Sequence, residues 1–214
     1  MAITQLQLYN LACASLGERA LASLSEDREP RRLLDDIWSR GNGAIRACLE
    51  QGYWDFAMRA ISNDASTSVS PAFGFVYAHD KPTDLVKLTA ISGDETFSDP
   101  LTNYEIEGEY FYADVDPLYL RYVSDDASFG GDLSTWPESF SVFVGHWLGV
   151  QVAPAFRNDL DMDRLEKRLE RLKVQARSNC AQQGPTRFPP RGSWVRARGG
   201  RNMSERGKRS SLIG

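Results

Sequence analysis

The feature that most constrains this chain is its last stretch, residues 184–214, which differs in charge from everything before it. Eight arginines and lysines lie there against one acid, Glu205, so the net charge of the stretch is +7. Because the whole chain carries −4, residues 1–183 carry −11. This C-terminal arm (residues 184–214) has few apolar side chains to bury, and we expect it to be disordered until an acidic or concave partner orders it. The charge split therefore predicts a folded body and an arm that attaches it to something else.

Bulk composition is typical of a globular body, with 42% apolar residues and no apolar run long enough to cross a membrane. The first residues have neither the basic start nor the apolar run of a signal peptide. Three cysteines, Cys13, Cys48 and Cys180, are odd in number and far apart. We expect buried free thiols in a reducing cytoplasm.

Apolar residues at helical spacing predict helices at both ends of the body. We expect helices over 4–16, 27–51 and 161–182, and a fourth that begins at Pro137 and ends at Pro154. Gly41 interrupts the apolar stripe of the second helix, so that helix either kinks there or is closely approached by another. Large aromatic residues on these faces predict one shared core, formed by Trp38, Trp54, Phe140, Phe143 and Trp147.

Between the helices, short alternating segments separated by Gly, Pro and Asp predict strands. They cover 73–78, 84–91, 104–106, 110–113 and 118–123, with a hairpin turn at Glu107-Gly108. The sequence thus predicts a mainly α fold: a helical bundle with an inserted small antiparallel β domain and an extended C-terminal arm, α+β overall. The expected divisions are a first helical region (residues 1–62), a β insertion (residues 63–133), a second helical region that completes the bundle (residues 134–183) and the arm (residues 184–214).

No catalytic constellation is visible in the sequence. The two histidines, His79 and His146, are expected to be surface or packed side chains, and no spacing of ligands indicates a metal or a cofactor. The acids Asp159, Asp161 and Asp163 precede and enter the last helix, where carboxylates favour the positive end of the helix dipole. We therefore expect no catalytic residues, no metal and no cofactor.

Aromatic residues among the arginines distinguish the arm from a merely solubilising tail. Such a pattern suits an extended segment that lies along another protein, with apolar contacts and bidentate ion pairs. Prolines keep the segment extended and reduce the cost of ordering it. The predicted partner-binding residues are Phe188, Arg191, Trp194, Arg196, Arg198 and Arg201.

The order of these features resembles the tail tubular protein A family of tailed bacteriophages, the head-to-tail adaptor or connector proteins. The resemblance covers nearly the whole chain and rests on pattern and order. Its elements are Ser15-Leu16-Gly17-Glu18, Gly52-Tyr53-Trp54-Asp55-Phe56-Ala57, Tyr77 followed by Pro82-x-Asp84-Leu85, Tyr104–Gly108, the 118–122 strand, Pro137 with Phe140, and Ser193-Trp194-Val195-x-x-Arg198.

That resemblance implies a virion protein of the neck, made in the host cytoplasm, and not an enzyme. The family forms a ring, typically a dodecamer, below the portal protein, with a bundle-and-β fold and an arm that embraces the portal. Expected partners are therefore the portal protein, neighbouring copies of the chain, a downstream tail or nozzle protein, and genomic DNA that passes through the channel during ejection without sequence-specific binding. The Gly41-Asn42-Gly43 interruption and the arginine-rich arm depart from the family pattern and leave open whether the tail is short or long.

Two functions of different classes remain open from the sequence. The first is the structural adaptor, and the acidic body suits a channel wall that repels phosphates. The second is a nucleic-acid-binding protein that uses the basic arm, whose eight cations would release counterions from DNA. Salt-dependent DNA binding separates the two.

Overall fold

A computed structural model describes residues 3–98, 100–156 and 161–183 of the chain. Within these ranges the helices are α1 (Gln5–Ser15), α2 (Glu29–Ser39), α3 (Gly43–Leu49), α4 (Glu138–Phe156) and α5 (Met162–Gln183). The strands are β1 (Met58–Asn63), β2 (Tyr77–Asp80), β3 (Leu85–Ser92), β4 (Tyr104–Glu107), β5 (Tyr110–Ala113) and β6 (Leu118–Ser124).

Helix α4 lies at the centre of the helical layer and contacts α1, α2, α3 and α5. Two of its buried residues are glycines, Gly145 and Gly149, and α1 approaches the backbone of α4 there. A Cβ atom built on Gly145 would lie only 2.6 Å from the Cβ atom of Leu11. Helix α1 begins with a reciprocal capping box, in which Thr4 and Gln7 each accept from the other's backbone N–H.

The larger hydrophobic core lies among the helices and the segment that follows α3. Trp54 is fully buried, and its ring centroid lies 4.6 Å from that of Phe140. The predicted aromatic core is confirmed for Trp54, Phe140 and Phe143, which are all buried. Trp38 and Trp147 are only partly buried and pack against its margin.

The strands form two antiparallel sheets, of order β1-β6-β3 and β2-β5-β4, here called the first and second sheets. A second, smaller core lies between them, formed by Leu85, Ile91, Phe111, Ala113, Leu118, Leu120 and Tyr122. Strand β6 alternates as predicted: Leu118, Leu120 and Tyr122 belong to this core, whereas Val123 belongs to the helical one. The first sheet is thus the middle layer.

The predicted fold class is wrong. In the described portion of the chain the protein is a small α+β fold, with five α-helices and two three-stranded antiparallel sheets, about 43% helix and 20% strand, and not a mainly helical bundle with an inserted sheet. The physical reason is the core between the sheets, which makes the strands a packed unit in their own right. A further strand, β1, also arises from residues 58–63 and straddles the boundary expected between 62 and 63.

Two predicted helix boundaries also differ from the structure. The helix expected over 27–51 is divided into α2 and α3, because Gly41 and Gly43 adopt positive φ of 61° and 88°. No atom lies within 4 Å of a Cβ built on Gly41, so the break reflects backbone conformation and not a close helix. Helix α4 continues past Pro154, which lies in its last turn, to Phe156.

Most predicted strands are confirmed to within a residue or two. The exception is the first, expected over 73–78, since β2 begins only at Tyr77. The predicted turn is a two-residue connection between β4 and β5, with Gly108 at φ 57°. Glycine at the first central position is the requirement of a type II′ hairpin turn.

Candidate interaction surfaces

The six residues that the sequence predicts to bind a partner, Phe188, Arg191, Trp194, Arg196, Arg198 and Arg201, lie outside the described residues. The description of the chain ends with α5, at Gln183, directly before the arm. The surfaces that can be built from geometry are therefore those of the body.

A groove of about 550 Å³ lies where the end of α5 passes the beginning of α4. Its apolar floor includes Pro137, Val142 and Leu172, and most of its polar groups are amides, such as Gln175 and Asn179. Side-chain amides can both donate and accept hydrogen bonds, so this lining suits a polypeptide backbone.

A neighbouring groove of about 720 Å³ lies between α1 and α4. It shares Glu138 and Val142 with the first groove and adds Ile3, Leu11 and Trp136. The lining is again apolar with a few amides. Together the grooves give the α4 N-terminal region a surface on which a segment of protein can lie.

The negative charge of the body is concentrated in one region of the sequence. Residues 63–133 contain fourteen acids and three bases, a net charge of −11, which equals that of the whole of residues 1–183. The two helical regions, residues 1–62 and 134–183, carry −1 and +1. The strand-bearing region (residues 63–133) therefore carries the negative charge, most of it in the segments that connect the strands, while the two helical regions are almost neutral. The charge split between body and arm assigns this charge only to residues 1–183 as a whole.

Strand β4 brings some of this charge to an edge of the second sheet. Glu105, Glu107 and the turn residue Glu109 are all exposed. Beside them Ile106 is 50% exposed, an unusual position for a large apolar side chain in a strand. The opposite edge strand, β2, is instead met by the preceding loop, where the N–H of Ser66 donates to the carbonyl of Ala78 at 2.7 Å.

A polar network around Asp84 fixes the start of β3 to the end of β6. The Asp84 carboxylate accepts hydrogen bonds from Ser124 Oγ at 2.5 Å, Arg59 Nη1 at 2.8 Å and Tyr122 Oη at 3.1 Å. Arg59 also lies over the ring of Phe129, 5.3 Å from its centroid. Burial alone would raise the pKa of Asp84, but these hydrogen bonds outweigh it and hold the pKa below its usual value.

The same network raises the pKa of Tyr122, through burial and then through the neighbouring Asp84 carboxylate. The carboxylate is thus ionised and the phenol neutral near pH 7. Ser124, Arg59 and Tyr122 all donate to the one carboxylate, so the network joins the start of β3 to strands β1 and β6. Asp84 belongs to the Pro82-x-Asp84-Leu85 element of the sequence, whereas the roles of Arg59 and Ser124 went unrecognised.

A second ion pair, also missed, links the helical layer to the sheets. Arg46 of α3 donates to Asp125 Oδ2 at 2.6 Å and to the carbonyl of Leu85 at 2.6 Å. Each charged side chain is about a quarter exposed. The sequence signal was an arginine beside the apolar stripe of a helix, but nothing local identifies a partner 79 residues away.

The histidines are packed groups. His79 is fully buried, and its two ring nitrogens each lie 3.0 Å from a backbone carbonyl, those of Asn63 and Val115. His146 lies on the buried side of α4, and burial, with the charge of Arg168, lowers its pKa. Both side chains therefore support the fold.

The three cysteines are buried and free, as predicted. Burial raises the pKa of Cys13, Cys48 and Cys180, which keeps each as an unreactive thiol. The Cys180 sulfur accepts the backbone N–H of Asp55 at 3.0 Å and so ties α5 to the segment before β1.

Within the described ranges, no three His, Cys, Asp or Glu side chains come together as a metal site would require. None of the helices in the same ranges combines the length and the apolar character needed to cross a membrane. A comparison with known protein families found no matching family model, and a comparison with curated proteins found no match.

Proposed function

We propose that this protein is a structural adaptor of a tailed-bacteriophage virion, a homo-oligomeric ring at the neck. In this proposal the ring docks under the portal protein, joins the capsid to a downstream tail or nozzle protein, and surrounds the channel through which the genome leaves. The supporting observation is the separation of charge along the chain. The strand-bearing region carries −11 and the arm +7, and the arm also bears aromatic residues.

Charge separation of this kind favours attachment at both ends of one molecule. A basic arm with Phe188 and Trp194 suits a groove on a protein partner, where aromatic and arginine side chains supply most of the binding energy. The acidic strand-bearing region repels DNA phosphates and thereby suits the wall of a channel. The amide-lined groove at the end of α5 adds a surface for polypeptide beside the point where the arm begins.

The test is whether an isolated portal ring recruits this protein, as measured by sedimentation and by negative-stain electron microscopy. A chain with Phe188→Ala and a chain with Arg191→Glu and Arg201→Glu should lose recruitment. The loss of one aromatic contact at a protein interface is expected to cost about 2 kcal/mol, roughly thirtyfold in affinity. The matched control, Arg206→Glu with Arg209→Glu, makes the same charge change elsewhere in the arm and should be recruited normally. Unchanged recruitment of the first two variants would refute the arm's role.

The alternative function, nucleic-acid binding through the arm, is favoured by its eight cations and predicts a different pattern. Affinity for DNA would fall steeply as salt rises, and both double-arginine variants would weaken it to a similar extent. Phe188→Ala would then matter much less than the loss of two arginines. A fluorescence titration with duplex DNA at two salt concentrations, on the same four proteins, decides between the two functions.

A further inference from the structure

The outer side of β4 is an open strand edge among the described residues. Strand β4 ends the second sheet, and its register with β5 pairs Glu107 with Tyr110 across the two-residue turn. In an antiparallel pair closed by such a turn, the residues next to it exchange both backbone hydrogen bonds, and alternate residues point their backbone groups outward. The N–H and C=O groups of Tyr104 and Ile106 therefore face away from β5 and are available to another strand.

The two faces of this edge differ in chemistry. Glu105 and Glu107 lie on one face, exposed to solvent. Tyr104 and Ile106 lie on the other face, where their β5 partners belong to the core between the sheets. An added strand would therefore meet carboxylates on one face and half-buried apolar side chains on the other.

The arm contains a segment with the complementary alternation. In an extended conformation Trp194, Arg196 and Arg198 share one face, while Val195 and Ala197 share the other. Arginines opposite glutamates form favourable cross-strand pairs, and the small apolar side chains would cover Ile106. We propose that residues 194–198 of a second copy of this chain add as an antiparallel strand to the outer edge of β4.

Reach and symmetry fit this occupant. Trp194 lies eleven residues after Gln183, so up to about 36 Å of extended chain separates it from the end of α5. Because the edge and the segment are different regions of the same chain, each copy can offer its arm to one neighbour and its edge to another, a head-to-tail contact that forms a ring when the rotation between copies closes. The assignment rests on the proposed ring for its setting, and it leaves Phe188, Arg191 and Arg201 for the portal.

The first experiment measures the binding of a fluorescein-labelled synthetic peptide of residues 191–201 by anisotropy. The host is the full chain with Arg196→Glu and Arg198→Glu, the arm variant, so that its own arm does not compete. We expect saturable binding at low salt. A second peptide, N-methylated at Val195 and Ala197, keeps every side chain but loses the N–H groups that would pair with β4. It should bind at least about tenfold more weakly.

The edge is tested by adding Glu105→Lys and Glu107→Lys to the host, which should weaken the unmodified peptide by about tenfold or more. The matched control is Asp64→Lys with Glu95→Lys, two exposed acids in loops of the same acidic region, and it should leave binding within about twofold. Equal weakening by both pairs, or equal binding of the two peptides, overturns strand addition at β4. A peptide that does not bind the host overturns the proposal as well.

A charge exchange between copies then tests whether the contact joins two molecules. The edge variant (Glu105→Lys, Glu107→Lys) and the arm variant (Arg196→Glu, Arg198→Glu), each a full chain, should be monomeric alone. Mixed, they should form complexes by sedimentation velocity, because each offers the surface that the other lacks. If the mixture stays monomeric where the unaltered chain associates, or if the unaltered chain does not associate even at high concentration, pairing between copies is refuted. Neither the peptide experiment nor the charge-exchange experiment contains a portal, so a negative result in either is distinct from a loss of portal recruitment.

Discussion

Replacing Gly145 with alanine tests a close helix contact of the body, that of α1 on α4. The added Cβ atom would lie 2.6 Å from the Cβ atom of Leu11 and 3.1 Å from its Cδ1 atom. Two carbon atoms in contact prefer about 3.5–4.0 Å, so the helices must separate by roughly an ångström. Since the Leu11 Cβ atom is fixed to its backbone, a change of rotamer cannot relieve the contact.

Two opposing effects determine the size of the change in stability. Alanine favours the helical state over glycine by about 1 kcal/mol, whereas overpacking a core costs about 1–3 kcal/mol. The contact with Leu11 involves backbone-fixed atoms, and so we expect the upper end of that cost. The free energy of unfolding of Gly145→Ala should therefore fall by about 1–2 kcal/mol. Leu11→Ala should not restore it, because the Cβ atom remains.

Gly149→Ala is the internal control. Its added Cβ atom would face the same helix, but it would meet a side-chain atom that a second substitution can remove. Its Cβ atom would overlap the hydroxyl of Ser15, and the next contact, the carbonyl of Ala12, lies at 3.3 Å. In a Ser15→Ala background the substitution should therefore cost at least about 1 kcal/mol less than in the native chain. The two double-mutant cycles should therefore differ. Positions 15 and 149 should be energetically coupled, whereas Leu11→Ala should do little to relieve the destabilisation caused by Gly145→Ala.

The assay is urea unfolding followed by far-ultraviolet circular dichroism, analysed with a common slope for all variants. A neutral or stabilised Gly145→Ala would show that helix propensity dominates and that α1 does not pack against α4 at this distance. Relief of Gly145→Ala by Leu11→Ala, equal to the relief at the other site, would also contradict the geometry.

Further predictions concern the aromatic core and the Asp84 joint. Trp54→Ala should lower the free energy of unfolding by about 3–5 kcal/mol, because the ring is fully buried against Phe140, and Trp147→Ala, at a partly buried position, should cost clearly less in the same urea experiment. Because the folded-state pKa of Asp84 lies below the unfolded value of about 3.9, its ionisation stabilises the fold above that value, and the contribution is lost as pH falls through the lower, folded pKa. The stability difference between the native chain and Asp84→Asn should therefore be smaller at pH 3 than at pH 7, and a difference independent of pH would exclude this linkage.

Much of the local structure follows from short-range patterns in the sequence. The α1 stripe, the strands over 84–91, 110–113 and 118–123, and the turn at Gly108 depend on residues close together in the chain, and all are confirmed to within a residue. The buried state of Cys48 follows likewise from an apolar stripe. These features can be predicted because helical and strand periodicity express burial directly.

The features that were missed depend on long-range packing. Strand β1 has no clean alternation, since it is a half-exposed edge strand whose partner, β6, begins more than fifty residues later. The ion pairs of Arg46 and Arg59 join distant segments in the same way. The division of the strands into two sheets with a core between them determines the fold class, and no local period encodes it. The predicted site residues, such as Trp194 and Arg198, lie outside the described residues, so their role stays a prediction.

The distribution of charge also limits how copies of this chain can associate. A two-fold symmetric dimer formed through the strand-bearing region would place that region, at −11, against itself. Like charges in direct contact cost several kcal/mol across an interface, whereas the arm, at +7, offers a complementary partner on every copy. If copies of the chain associate, contact between the arm of one copy and the strand-bearing region of another is therefore favoured over a two-fold dimer formed through that region, and its strength should decrease as salt screens the two charged regions. Self-association that is unaffected between low and high salt would show that apolar contacts, and not this charge separation, hold the copies together.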